Sequence, residues 1–345
     1  MRALRYRPET RSVALDPSAP DPKPAQGDAL IRVTLASLDP SDLLNTQGAS
    51  KPFTLGHQFV GVVDSVADKA NAPLIAKRVV SQPHIPCAAC DLCRGGAPAH
   101  CRSRRVLGSP SLDGALAQRV AIPARALVHV PDSIDDESAL LAVPLASTLH
   151  AARQVRLDRK AFVTVIGDNL IALLCAQVMA KRNATVRLLG QHAERMEICE
   201  KWGVRHRPLH EAGRRADQDV VIECTGTHTG LGAAIGLLKP RGMLIAKTLP
   251  AAPFPFDLAP VIDNELELVG AVGSVNDEQA PPWARSKPQG SPPPVSISTS
   301  APAAPPPPSE PPSPPDHQGA STARLSPIGV TPTMTPTGFE PRFPG

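Results

Sequence analysis

Four cysteines within fifteen residues, Cys87, Cys90, Cys93 and Cys101, constrain this chain more than any other feature. Their spacing is Cys-x2-Cys-x2-Cys-x7-Cys. Two-residue gaps let neighbouring thiolates reach one ion from a tight loop, and four thiolates complete a tetrahedral Zn(II) shell. Gly95, Gly96 and Pro98 lie in the long gap, where the loop must reverse. Four protein ligands leave no open position, so such a zinc holds a lobe together and does no chemistry. A nucleic-acid zinc knuckle would want basic and aromatic neighbours, and only Arg94, Arg102, Arg104 and Arg105 are offered. Cys175, Cys199 and Cys224 sit singly in apolar segments and read as core thiols, and His150 reads as a helix-face histidine.

Around the cluster the texture of the chain changes twice. Residues 1–146 carry short alternating or β-branched runs at Ala29 to Ala36, Phe59 to Val66, Arg78 to Ser81 and Ala117 to Ile122, which predict an all-β unit. Residues 147–275 alternate apolar runs with helical spacing. Runs at Phe162 to Ile166, Thr185 to Leu189, Val220 to Glu223, Met243 to Lys247 and Leu266 to Val272 predict strands, and a short strand near Val204 makes six. Leu170 to Lys181 and Ala193 to Trp202 predict helices between them. This alternation implies a parallel sheet with right-handed crossovers. Residues 276–345 hold 20 of the 41 prolines and little apolar side chain, which predicts a disordered Pro-rich tail.

The net charge of +4 is small and carries no basic stripe, which speaks against nucleic acid as a partner. No apolar run reaches the roughly 20 residues of a membrane helix, and the amino terminus lacks the apolar stretch of a signal peptide. The expectation is a soluble, cytoplasmic protein whose clustered thiols bind metal instead of pairing.

The cysteine spacing, taken with Gly56-His57-Gln58-Phe59-Val60-Gly61-Val62-Val63 before it and Asp113-Gly114-Ala115 and Val120 to Ala124 after it, resembles the zinc-dependent medium-chain alcohol dehydrogenase/reductase family. The resemblance covers residues 1 to about 275 and implies an α/β architecture. A GroES-like β-barrel domain (1–146, with the zinc lobe at 84–105) would precede a Rossmann NAD(P)-binding domain with a doubly wound parallel sheet (147–275), substrate and nicotinamide meeting between them. It also implies a returning segment that completes the first domain, and nothing after Gly273 resembles one.

Carried over by residue, the resemblance implies a catalytic zinc on Asp39 and His57, with Asp42 orienting His57 and Ser41 relaying the alcohol proton. Asp39 stands where the family has a cysteine, Gln58 where it has a glutamate, and Val143 where it has a third ligand. Valine offers no lone pair. The same two side chains also read as ordinary polar residues of a cleft wall.

The turn after the first predicted strand of the second half reads Gly167-Asp168-Asn169-Leu170-Ile171-Ala172, a GxNxxA variant of the dinucleotide fingerprint. Gly167 suits the tight turn and Ala172 the close helix packing, while Asn169 takes the place of the glycine beside the pyrophosphate. No carboxylate ends the next run, at Gln191, so NADP is favoured over NAD. Thr225, in Cys224-Thr225-Gly226, resembles the family's segment beneath the cofactor. The function implied is hydride transfer between NAD(P) and a small alcohol or carbonyl, in a homo-oligomer or a single copy. A zinc-free NADPH reductase of the same fold and a non-catalytic nucleotide-binding scaffold are the alternatives.

Overall fold

The structure, a computed structural model, describes residues 1–155, 161–213 and 215–271. The expected Pro-rich tail, Val272 and the whole stretch in which a return segment was sought lie outside the described residues.

The first half is built of short strands. In order they are β1 (Ala3–Arg7), β2 (Ser12–Asp16), β3 (Asp28–Ser37), β4 (Phe53–Thr54), β5 (Gln58–Val66), β6 (Arg78–Ser81), β7 (His84–Ile85), β8 (Arg105–Val106), β9 (Arg119–Pro123) and β10 (Leu127–His129). Helices α1 (Pro40–Leu44), α2 (Asp91–Arg94) and α3 (Asp136–Leu140) are short, and α4 (Ala142–Gln154) leads into the second half. In β3 the alternation foreseen in the sequence turns Ala29, Ile31 and Val33 inward, onto Phe59, Val79, Val120 and Ile122. A five-stranded sheet runs β10-β6-β5-β3-β9, and a three-stranded sheet runs β2-β1-β4. The β3–β5 register shifts twice, and a Cβ at Gly61 would lie 2.5 Å from Ile31 Cγ2 and 2.6 Å from the Arg32 carbonyl. Only glycine lets the two strands approach there.

The second half contains β11 (Phe162–Ile166), α5 (Leu170–Lys181), β12 (Thr185–Gly190), α6 (Ala193–Met196), β13 (Arg205–Pro208), β14 (Gln218–Glu223), α7 (His228–Leu237), β15 (Leu238–Ala246), α8 (Ala259–Asp263) and β16 (Glu267–Gly270). All six strands are parallel, in the order β13-β12-β11-β14-β15-β16. Side chains of α4 and α5 pack on one face of the sheet, and Ala234 and Leu237 of α7 on the other. Burial on both faces explains why these strands read as unbroken apolar runs. The order reverses between β11 and β14, and a ligand crevice forms outside the carboxyl ends of strands at such a point.

Two expectations change in detail. The helix foreseen over Ala193 to Trp202 divides, and Glu197–Trp202 winds as a 3-10 segment. The division expected between residues 146 and 147 falls inside α4. Among the described residues no helix is long and apolar enough to cross a membrane.

Candidate active site and metal centre

The cysteine lobe hangs between β7 and β8, which pair with each other. The Cys90 Sγ lies 3.5 Å from Cys93 Sγ and 3.8 Å from Cys101 Sγ, and all four sulfurs fall within 4.8 Å of one another. Tetrahedral ligands at a Zn–S bond of about 2.3 Å stand about 3.8 Å apart, so the sulfurs fit one Zn(II). The loop also stabilises thiolates. The backbone N–H of Ala89 donates to Cys87 Sγ and that of Cys87 to Cys101 Sγ. The Cys93 backbone pulls Cys90 down to about 6, while burial and the neighbouring thiols push Cys93 up to about 12. Four thiolates at this spacing require a cation.

The segment before α1 folds onto itself. Asp39 caps the helix, its Oδ1 accepting from Ser41 N at 2.8 Å and from Ser41 Oγ at 2.5 Å. The Asp39 N–H donates to Asp42 Oδ2 at 2.9 Å, closing a capping box, and Pro40 occupies the first turn where no N–H is needed. The other oxygen of Asp42 stands 2.7 Å from His57 Nδ1, and Asp42 is fully buried. Burial lowers the His57 pKa, but the Asp42 hydrogen bond and charge, with Asp39 behind them, outweigh it and raise the value. Gly56 presents His57 from a backbone at φ 99°, and a Cβ there would lie 2.6 Å from Leu116 Cγ. A Cβ at Gly114 would sit 2.3 Å from the Leu55 carbonyl. The glycines of both flanking motifs therefore serve one crowded crossing.

Asp39, Ser41, Asp42 and His57 thus stand together, and among the described residues no third metal-binding side chain joins Asp39 and His57. Gln58 Nε2 lies 3.4 Å from His57 Nε2, the nitrogen left for a metal once Nδ1 faces Asp42, and Ser37 Oγ donates to Gln58 Oε1 at 3.1 Å. Val143 is buried on α4 with no donor to offer. Among the described residues only the four cysteines bring three or more metal-binding side chains to one point.

At the nucleotide end, Gly167 turns the chain at φ 123°, and a Cβ there would meet Ala172 Cβ at 3.3 Å and Cys224 Cβ at 3.4 Å. Asn169 stands at the start of α5. It is extended at φ −80° and caps α5, accepting from Ala172 N at 2.9 Å and donating from Nδ2 to the Cys224 carbonyl at 2.7 Å. Its amide therefore engages one of the helix N–H groups that a pyrophosphate would otherwise use. Thr225 lies at the carboxyl end of β14, where its N–H donates to Glu223 Oε1 at 2.7 Å.

Three residues were missed from the sequence. Buried Glu223 organises the β14 end, taking Thr225 N and Gly226 N at 2.7 and 3.1 Å. Lys247, after β15, donates to Ser147 Oγ at 2.7 Å and to the Ala271 carbonyl at 3.1 Å. Burial lowers the Lys247 pKa, while the charges of Cys175, Cys224 and Asp39 act in the opposite sense. Asp168, in the turn after β11, is the third. Its Oδ2 accepts the backbone N–H of Gln191 and of His192, each at 2.7 Å. The hydrogen bond from Gln47 Nε2 to the Ala251 carbonyl, 3.0 Å, also links the halves. None of these contacts has a spacing signature.

The alcohol dehydrogenase GroES-like domain matches residues 25–132. Over 269 residues the chain is 28% identical to a sorbitol dehydrogenase of Halalkalibacterium halodurans, covering 73% of this chain and 78% of that one. It is 31% identical over 226 residues to an acryloyl-coenzyme A reductase of Metallosphaera sedula, covering 61% and 65%. The solved structure of an alcohol dehydrogenase from Thermus sp. ATN1 superposes with a TM-score of 0.68 at 26% identity, covering 79% of this chain and 85% of that chain.

Proposed function

This chain belongs to the zinc-type medium-chain alcohol dehydrogenase family, and on that premise we propose that it moves hydride between a nicotinamide dinucleotide and a small alcohol or carbonyl compound. The observation that carries the reading is the hydrogen-bonded group of Asp39, Ser41, Asp42 and His57, in a half that the Gln47-to-Ala251 hydrogen bond ties to the segment after β15, at the carboxyl edge of the parallel sheet. A nicotinamide bound at that edge supplies the hydride acceptor. Asp42 fixes the His57 tautomer, leaving Nε2 toward the cleft. Ser41 Oγ already donates to Asp39 Oδ1, so Ser41 can take the substrate hydroxyl proton while passing its own to Asp39, which releases it to solvent. Gly167, Asn169, Ala172, Gln191 and Thr225 form the nucleotide side of this proposal. Cys87, Cys90, Cys93 and Cys101 would hold a structural zinc that contributes folding energy.

A zinc-free carbonyl reduction is the second reading, favoured by Val143 and Gln58 around His57. Alcohol oxidation by the natural protein would support the first reading and carbonyl reduction without it the second, while metal content tests the site itself. We expect one zinc per chain in the natural protein and two in Val143→Glu, with faster alcohol oxidation. Two zincs in the natural protein would overturn the assignment of Val143. A variant that binds one zinc and stays inactive would favour the non-catalytic alternative.

The gathering of four thiols at metal-ligand spacing supports a reducing, cytoplasmic location for the clip. Edge strand β16 exposes Leu268, and Ile262 of α8 is also exposed, which supports assembly with a second copy.

A further inference from the structure

In sheets of this winding, the carboxylate that hydrogen-bonds the adenosine ribose belongs at the end of the second strand, about twenty residues past the phosphate-binding turn. Here β12 ends in Gly190, which has no side chain. A Cβ built on Gly190 would lie 2.8 Å from Asp168 Cβ and 2.9 Å from Asp168 Oδ2. The carboxylate from the turn after β11 therefore fills the space that the side chain of residue 190 would occupy.

The carboxylate is fixed there. Its Oδ2 takes Gln191 N and His192 N at 2.7 Å and faces His192 Nδ1 at 3.0 Å, while Oδ1 lies 3.5 Å from Arg195 Nη1. Burial raises its pKa, but the N–H groups of His192 and Gln191 outweigh that and keep it below the usual carboxylate range. The Asp168 side chain retains 11% exposure.

We propose that Asp168 supplies the ribose-binding carboxylate from the turn after β11, so that the site selects NAD(H) over NADP(H). This rests on the nicotinamide reading above. The Arg195 guanidinium, which would otherwise hold a 2′-phosphate, is paired with Asp168, and the fixed negative charge repels that phosphate.

Titration of the full chain with NADH and with NADPH, followed by nicotinamide fluorescence, tests the assignment. The natural protein should bind NADH at least about tenfold more tightly, the discrimination expected from a charged hydrogen bond. Asp168→Asn should bring the two affinities together. The exchange variant, Asp168→Gly with Gly190→Asp, should restore the NADH preference, and it also decides the matter if the single variant fails to fold. An NADPH preference in the natural protein, or an affinity ratio unchanged in Asp168→Asn, would overturn the assignment. So would an exchange variant that favours NADPH. A natural protein that binds neither cofactor would overturn the nicotinamide reading itself, and the inference with it.

Discussion

Asp42 and His57 form a hydrogen-bonded pair, Oδ1 to Nδ1 at 2.7 Å, in which the carboxylate is wholly enclosed while its second oxygen caps the first turn of α1 through Asp39 N. One side chain thus joins helix start and imidazole, and its loss should disturb both.

Asp42→Asn keeps the volume and removes the charge. Activity should fall about 10- to 100-fold, the range for loss of a carboxylate that orients a functional histidine. KM should change little, because Asp42 is enclosed and does not face substrate. Steady-state kinetics check this, and unchanged kcat would remove Asp42 from the catalytic group.

Cys93→Ser removes one of four sulfurs that lie within 4.8 Å of each other. Bound zinc should drop toward zero per chain, and the melting temperature should fall, because a structural zinc contributes folding energy directly. Elemental analysis and calorimetry measure the two effects. If both stay constant, the cluster is not a metal site.

His84, on β7 at the root of the lobe, is held near pKa 4 by burial, with Arg104 and His57 adding to the shift, and its Nδ1 has no partner among the described residues. A histidine depressed from 6.5 binds fewer protons folded than unfolded. Its contribution is therefore present above about pH 6.5 and is lost as the pH falls toward 4. After allowance for its partial exposure, the loss should be on the order of 2 kcal/mol. Melting temperatures between pH 7 and 4 should fall less steeply for His84→Gln than for the natural chain.

The local parts of this protein were legible in the sequence. The cysteine clip closes within fifteen residues, so its spacing alone specifies a tetrahedral site. β6, β11 and α5 run over the residues expected, because strand alternation, sheet burial and helical spacing are recorded along the chain itself. The Ser41, Asp42 and His57 group was found only through resemblance to a family, since its members lie on separate elements.

Contacts set by space rather than spacing needed the tertiary structure. In sequence, Asp168 is an unmarked position of the turn, and Gly190 is merely a residue lacking a carboxylate. Only when β11 and β12 lie side by side does the Asp168 side chain fill the room that Gly190 leaves. The Asn169 amide likewise finds its second partner, the Cys224 carbonyl at 2.7 Å, only in the folded chain. Periodicity encodes which face of an element is buried, but a polar side chain's partner depends on which strand becomes its neighbour, and folding alone sets that.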